Sequence, residues 1–132
     1  MPRIDRRELA AIFIGGMAGS LLRVWLSQSF TAGGADWPWA IFAINVSGSF
    51  VLACLATHLR GRTLRSTVIG PLLGVGFCGA YTTFSTMQFE LVQMLDRDRY
   101  ALAGSYAVCS VLAGVLAIYA GTLLVRRVWP PR

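Results

Sequence analysis

Polar side chains recur at intervals of four residues inside the most apolar stretches of this 132-residue sequence. The three sets are Asn45 with Ser49, Thr82 with Thr86 and Glu90, and Tyr106 with Ser110. Residues four apart lie on one face of a helix, so each set predicts a short polar track. One track alone is typical of the contacts between packed membrane helices. Because the three sets fall at similar depths in different stretches, together they favour a polar path through the protein.

The chemistry of these side chains suits a small anion better than a proton or a metal ion. Glu90 is the only ionisable residue well inside an apolar stretch. Proton-coupled transporters and metal carriers normally need carboxylates or histidines at that depth. Hydroxyl and amide groups can instead donate hydrogen bonds to an anion, and the positive edges of aromatic rings can face one. The candidate donors are Asn45, Thr86, Tyr106 and Ser110.

The sequence carries no pattern that indicates catalysis. Its single histidine, His58, falls at the end of an apolar stretch beside basic residues, so Ser/His/Asp chemistry has no suitable base. No phosphate-binding loop of the GxxxxGK type occurs. We therefore expect that the protein is not an enzyme.

The elements that must position these side chains are membrane helices. The composition is 55% hydrophobic and 14% charged, which is too apolar for the surface of a soluble protein of this length. Windows of about 20 residues predict four spans, at about 9–27, 39–59, 67–95 and 101–125. We expect an all-α integral membrane protein that forms one domain over residues 1–132.

The arginines indicate how these spans are oriented. Four crossings place both termini and the loop between spans two and three on one side, which carries nine arginines: Arg3, Arg6, Arg7, Arg60, Arg62, Arg65, Arg126, Arg127 and Arg132. The opposite side has Arg97 and Arg99, offset by Asp96 and Asp98. By the positive-inside rule the termini are cytoplasmic. Once the apolar spans lie in lipid, the chain has no soluble basic face, so we expect no nucleic-acid partner.

The third span is too long for one straight helix. The 30 residues from 66 to 95 would extend about 45 Å, against a hydrocarbon thickness of about 30 Å. Gly74, Gly76 and Gly79 precede two β-branched threonines, so the sequence predicts a break near Gly79 to Thr83. Broken backbone in a bilayer must be buried in protein or line a wet cavity, and freed carbonyls suit a hard cation such as Na⁺. A glycine kink that serves packing alone is the alternative.

Four blocks of the sequence resemble the small bacterial fluoride channels of the Fluc or CrcB family. They are "GGMAGSLLR" at 15–23, "INVSGSF" at 44–50, "GFCGAYTTFST" at 76–86 followed by Glu90, and "YAVCS" at 106–110. The resemblance implies passive fluoride efflux across the bacterial inner membrane, which lowers cytoplasmic fluoride and its toxicity. It also implies an antiparallel dual-topology dimer with two fluoride pores and a central Na⁺.

The resemblance further implies a role for each matching residue. The backbone carbonyls of Gly79 and Thr82 would hold Na⁺. Phe84 would line the pore, with Met87 in the second position of its aromatic box. The remaining positions are Asn45 on the pore, Arg23 near its vestibule, Ser85, Thr86, Tyr106 and Ser110 along the polar track, and Glu90 at the acidic position after the box.

Two features depart from the family's usual pattern. Met87 stands where a second phenylalanine is common, so a polarizable thioether replaces one ring edge. The strong arginine bias is also unexpected in subunits that insert both ways. It predicts that this subunit inserts one way and pairs with a paralogue of opposite bias in a heterodimer.

Two other functions stay open at this point. A small four-helix multidrug exporter has a similar size, but it would need a carboxylate in the first span, and residues 9–27 contain none. A structural subunit, or a partner that does not conduct alone, is the second alternative. The small-residue patterns Gly15xxxGly19 and Gly70xxxGly74 favour it, because they predict helix contacts without any transport role.

Overall fold

The computed structural model describes residues 5–30, 37–60 and 68–129. Over these ranges the chain is helical, and no strand occurs in them. The segments are α1 (Arg6–Ser29), α2 (Trp39–Leu59), the π-helical α3 (Gly70–Cys78), α4 (Gly79–Tyr81), α5 (Phe84–Asp96) and α6 (Tyr100–Val128). Position 67, where the third span is predicted to begin, lies outside the described residues, as do Arg3, Arg62, Arg65 and Arg132.

Three of these helices are long and apolar enough to cross a membrane: α1, α2 and α6. Helix α2 has the bounds predicted for the second span, whereas α1 and α6 extend a few residues beyond the predicted first and fourth spans. The region of the third predicted span is divided into α3, α4 and α5. None of these pieces alone has the roughly 20 residues that a crossing needs. A fourth crossing therefore stays a prediction.

Helix α1 begins at a capped turn. The Asp5 side chain accepts a hydrogen bond from the Arg7 backbone N–H at 2.9 Å, and Glu8 follows in the first turn. Both carboxylates lie near the positive end of the helix dipole, which favours a helix start at this position.

The π-helical α3 is rich in glycine. It begins with Gly70 and Pro71, and it ends where the Gly79 N–H donates to the carbonyl of Gly74, five residues earlier. This wider spacing is rare in helices and often occurs near functional sites.

Glycines let α1 approach the backbone of α3 closely. A Cβ on Gly15 would meet the carbonyl oxygen of Leu72 and would lie 2.9 Å from the Phe77 nitrogen. A Cβ on Gly19 would lie 3.1 Å from the Tyr81 nitrogen. The Gly15xxxGly19 pattern therefore mediates a contact within the chain.

The second small-residue pattern makes a looser contact. A Cβ on Gly70 would lie 3.6 Å from the side chain of Leu59, and one on Gly74 would lie 3.6 Å from that of Leu55. These are ordinary van der Waals distances to side chains of α2. The pattern at 70–74 thus faces α2 without close backbone contact.

Helices α2 and α6 pack side by side and run parallel. Trp37, just before α2, contacts Tyr106 near the start of α6, with ring centroids 5.4 Å apart. At the other end, His58 contacts Trp129 at 5.1 Å. Between them Gly121 packs against α2, where an added Cβ would lie 2.8 Å from the Phe50 carbonyl oxygen. Since the two helices are parallel, the chain from 61 to 99 returns from one end of the pair to the other.

The core lies between α2, α4, α5 and the first half of α6. Its buried members are Ile41, Ile44, Tyr81, Met87, Met94, Ala103 and Tyr106. Large apolar side chains on the outer faces of α1, α5 and α6 are exposed, which fits a protein surrounded by lipid or by another subunit.

Candidate functional site

The third predicted span breaks at Thr82 and Thr83. Thr82 has φ −75° and ψ 151°, and Thr83 has φ −147° and ψ 117°, so both residues are extended. Helix α4 ends just before them and α5 begins just after. The break falls within the predicted interval of Gly79 to Thr83, and it is two extended residues rather than a simple glycine kink.

Asn45 of α2 pairs with the backbone of the break. Its Nδ2 donates to the Thr83 carbonyl at 3.0 Å, and its Oδ1 accepts from the Thr83 N–H at 2.8 Å. One side chain thus satisfies both backbone polar groups of an extended residue that would otherwise be unpaired away from water. Asn45 lies beside the predicted path, and both ends of its amide bind the break.

The break diverts two helical donors from the carbonyls predicted to hold Na⁺. In a continuous helix the N–H of Thr83 would donate to Gly79 and that of Thr86 would donate to Thr82. Here the Thr83 N–H donates to Asn45, and the Thr86 N–H donates to the Thr83 hydroxyl at 3.2 Å. The Thr82 hydroxyl itself donates to the Cys78 carbonyl at 2.9 Å. Its side chain is therefore turned back along α4.

Hydroxyl groups cluster at the start of α5. The Thr83 hydroxyl lies 2.9 Å from that of Thr86 and 3.3 Å from that of Ser85. The prediction that Thr82, Thr86 and Glu90 share one helical face was wrong for Thr82, because the extended residues interrupt the spacing of four. Thr83, and not Thr82, is the threonine that caps α5 and bonds to Thr86.

Glu90 and Tyr106 meet between α5 and α6. The Tyr106 hydroxyl donates to the Glu90 carboxylate at 2.7 Å, and the tyrosine is fully buried. Ser110 follows one helical turn later, and its buried hydroxyl makes no hydrogen bond to any residue in the described ranges. The polar side chains predicted on two different spans thus lie near one another.

Phe84 and Met87 lie in different environments. Phe84 is 71% exposed at the surface, whereas Met87 is 8% exposed within the core. Residues three apart lie about 60° apart around a helix, so Met87 is on the buried side of this face of α5 and Phe84 is on its exposed side. Phe84 faces outward from the chain. Arg23 is half-buried on α1, one turn beyond the close contact of Gly19 with Tyr81.

No group of three or more His, Cys, Asp or Glu side chains that could hold a metal occurs in residues 5–30, 37–60 and 68–129.

Comparison with known protein families gives a match over nearly the whole chain. Residues 10–122 match the family model described as CrcB-like protein, Camphor Resistance (CrcB). The chain belongs to the CrcB family. The match includes every predicted site residue and the break itself.

Curated relatives of this CrcB-family chain are ion channels by name. It is 47% identical over 128 residues to "Fluoride-specific ion channel FluC 1" of Mycolicibacterium paratuberculosis, covering 97% of each chain. It is 36% identical over 125 residues to "Fluoride-specific ion channel FluC" of Caulobacter vibrioides, covering 92% of this chain and 98% of the relative. A relative of the same name from Chlorobaculum tepidum is 40% identical over 121 residues, covering 91% and 95%. The family is thus one of channels and not of enzymes.

Sequence reasoning did not select three residues that organise the site in this family member. Thr83 could have been found as a helix start signal, since threonine directly before a helix is a common cap. Ser47 and Tyr81 had no local signal, because they meet across 34 residues of sequence.

Proposed function

We propose that this chain is a subunit of a fluoride-selective channel through which fluoride leaves the cytoplasm passively. The observation that carries the proposal is the 47% identity, over 97% of both chains, to a protein named as a fluoride-specific ion channel. The inside-negative membrane potential would drive the anion outward. The effect in the cell would be a lower cytoplasmic fluoride concentration.

The path that we propose follows the hydroxyl groups along α5 and α6. Ser85 and Thr86 supply hydroxyls at the start of α5, and Ser110 supplies a buried hydroxyl without a partner in the described residues. Donors of this kind can replace part of the hydration shell of an anion. Phe84 would add the positive edge of its ring, and Tyr106 with Glu90 would lie further along the same path.

We propose that Na⁺ binds at the break, on the carbonyls of Gly79 and Thr82. The support is that both carbonyls lose their helical donors to side chains, namely to Asn45 and to Thr83. Carbonyl oxygens at an interrupted membrane helix are ligands of the type that Na⁺ prefers. Since the ligands would be backbone atoms, Thr82→Ala should weaken Na⁺ binding less than a distortion of the backbone at Gly79.

A complete channel would need a second subunit. Phe84 and Gly79 are exposed at the break, and beside them lies an apolar groove of about 450 Å³ lined by Phe13, Gly16, Met17, Ser20, Leu21 and Ala80. We propose that an antiparallel second subunit covers this face and brings its own break next to Gly79. The exposed Phe84 would then enter a pore between the two subunits.

The parallel arrangement of α2 and α6 supports a fourth crossing. The ring contacts place the start of α6 at the end of the pair where α2 begins, and this favours a return crossing by the region of α3 to α5. With four crossings both termini lie on the arginine-rich side. We propose that this side is cytoplasmic and that the membrane is the bacterial inner membrane.

The same arginine bias favours one further candidate function. A subunit that inserts one way only cannot form an antiparallel pair with itself. We therefore propose a heterodimer with a paralogue of opposite bias, in which this chain alone does not conduct. Membership in the CrcB family, together with the absence of a carboxylate from residues 9–27, argues against the multidrug exporter.

Fluoride efflux from liposomes tests this proposal. Vesicles loaded with potassium fluoride or potassium chloride would contain the chain alone, or the chain co-expressed with a paralogue of opposite arginine bias. A fluoride electrode and a chloride electrode would follow release after addition of a potassium ionophore. We expect fluoride release without chloride release. Silence in both compositions, or equal release of both anions, would contradict the proposal.

A further inference from the structure

Three residues of one turn of α2 contact three successive residues around the break. Asn45 bonds to Thr83, and Gly48 lies against the Thr82 side chain. Between them, the Ser47 hydroxyl lies 3.1 Å from the Tyr81 hydroxyl. The first contact satisfies the backbone of the break and the second is steric. The hydrogen bond from Tyr81 is different, because it fixes the residue at which α4 ends.

The direction of this hydrogen bond follows from the single hydroxyl proton of Ser47. The Ser47 hydroxyl donates to the Ile44 carbonyl at 3.2 Å, within its own helix. With its proton on that carbonyl, Ser47 accepts from the Tyr81 hydroxyl; in either direction the two hydroxyls are within hydrogen-bond distance. Tyr81 is thus anchored through Ser47 to the backbone of α2.

The ring of Tyr81 is held on its other sides as well. It stacks on Phe77, with centroids 5.7 Å apart and planes at 14°. A Cβ on Gly48 would lie 3.1 Å from its Cδ1, so the glycine leaves room for the ring. The side chain is 9% exposed. The hydroxyl is therefore the one polar atom of Tyr81 that ties α4 to α2 through a specific partner.

Helix α4 consists of only three residues, Gly79 to Tyr81. These residues form the last turn of the helical run that continues from α3, and the extended Thr82 follows directly, so the contacts of Tyr81 fix where the chain enters the break. One end continues from α3, and the other end is Tyr81. The carbonyl of Gly79 lies within this segment and that of Thr82 directly follows it.

We propose that the Ser47–Tyr81 hydrogen bond positions the carbonyls of Gly79 and Thr82 and so sets the Na⁺ affinity of the break. This inference rests on the proposed function, since it concerns the same site. Tyr81 is a positioning residue, because its hydroxyl acts through the backbone that follows it. Without the bond, α4 has more freedom, and Na⁺ must order it on binding.

The test measures how two properties depend on Na⁺ after purification in potassium salts: the melting temperature of the protein in detergent and the fluoride flux in liposomes. Tyr81→Phe removes the hydroxyl and keeps the ring, and we expect the Na⁺ concentration for half-maximal flux to rise about fivefold, as for the loss of one hydrogen bond. Ser47→Ala should give the same shift, and the double variant should give no larger one. The ratio of fluoride to chloride flux should not change. The matched control is Tyr119→Phe, since Tyr119 is 64% exposed on α6.

Each outcome of this experiment decides the proposal when it is run in the subunit composition that conducts. A higher Na⁺ requirement in Tyr81→Phe and Ser47→Ala than in the wild type supports it. The same holds if only the variants become Na⁺-dependent, because the wild type would then retain its ion. The proposal is overturned if flux depends on Na⁺ equally in all proteins, or if it is independent of Na⁺ in all of them. Neither result contradicts the proposed function as a fluoride channel. If Tyr81→Phe does not elute as a folded species in size-exclusion chromatography, the Na⁺ dependence of Ser47→Ala alone decides the proposal. An absence of fluoride flux from the wild type in every composition would instead overturn the proposed function.

Discussion

The amide of Asn45 makes two hydrogen bonds with Thr83, and each uses a different end of the amide. Aspartate has nearly the same shape, but it offers an oxygen where Asn45 offers an N–H. Its second oxygen would then face the Thr83 carbonyl, acceptor against acceptor. Such a mismatch away from water costs about 1–3 kcal/mol. Asn45 is thus important for the shape of the break.

We therefore expect Asn45→Asp to reduce fluoride flux at least tenfold, both by distorting the break and by placing a negative charge near the anion. Liposome efflux measures the rate. Ser29→Ala, at an exposed position at the end of α1, is the control and should conduct normally. Wild-type flux in Asn45→Asp would show that neither the hydrogen bonds nor the charge matters for conduction.

Phe84 allows a test of the pore that does not disturb the fold. Its side chain is 71% exposed, so Phe84→Ile removes little packing within the chain. We expect this variant to purify normally and to lose fluoride flux, because the aliphatic side chain has no positive ring edge. Phe89→Ile is the matched control, since Phe89 is 62% exposed on the same helix. Equal flux in the two variants would remove Phe84 from the path.

The cap of α5 depends on one hydroxyl. Thr83 accepts from the Thr86 N–H and lies within hydrogen-bond distance of two further hydroxyls. We expect Thr83→Ala to lower the free energy of unfolding by about 1 kcal/mol, the usual effect of losing such a cap, while Thr83→Ser should restore it. Thermal unfolding in detergent would measure both. Equal melting temperatures for the alanine and serine variants would contradict the role of the hydroxyl.

At the scale of the helices, the contact between α1 and α3 depends on glycine. Gly15 packs against the backbone of Leu72, whereas Gly16, its neighbour, has only a carbonyl oxygen 4.0 Å from an added Cβ. We expect Gly15→Ala to reduce stability by more than about 3 kcal/mol, because backbone atoms on both helices would have to move apart. Gly16→Ala should change it by less than about 1 kcal/mol. Yield of folded protein and melting temperature would show the difference, and equal effects would contradict the packing.

The helices show how far local sequence determines this fold. Apolar windows predict the bounds of α2, and bilayer length with the glycine pattern predicts a break in the third segment. The π-helix is not predictable in this way, because its wider hydrogen-bond spacing accompanies glycine contacts between α1 and α3 that are distant in sequence. The same limit applies to Thr82 and Thr86: their spacing of four predicted one face only as long as the helix was assumed to continue.

The sequence predicted which residue types form the site better than it predicted which of these residues contact one another. Most of its polar residues were selected from spacing or from the resemblance, and Glu90 and Tyr106 indeed meet. That Asn45 binds Thr83 and Tyr81 binds Ser47 depends on how α2 packs against α4. Likewise, the environments of Phe84 and Met87 depend on which side of α5 faces α6.

At the scale of the whole molecule, the charge distribution predicts one orientation. A Ser29→Cys variant in which Cys54, Cys78 and Cys109 are replaced by alanine would carry a single thiol at the last residue of α1. If the arginines set topology, an impermeant maleimide should label nearly all of it from the outside of intact cells. Half labelling, with robust fluoride flux from the chain alone, would contradict the heterodimer and favour a dual-topology homodimer.

The pairing of α1 with α3 and of α2 with α6 also bears on biosynthesis. The helices that pack most closely against α1 and α2 are not their neighbours in the sequence and are translated later. Both α1 and α2 are therefore in the membrane before these packing partners have been made. Helix α2 spends the longest time without its packing partner, because α6 is the last helix to be translated. A nascent chain that stops before Tyr100 would expose the α2 surface around Phe50 and Ala53 to lipid. We expect membrane proteases to remove such chains, so that premature stop codons late in the gene should leave little protein.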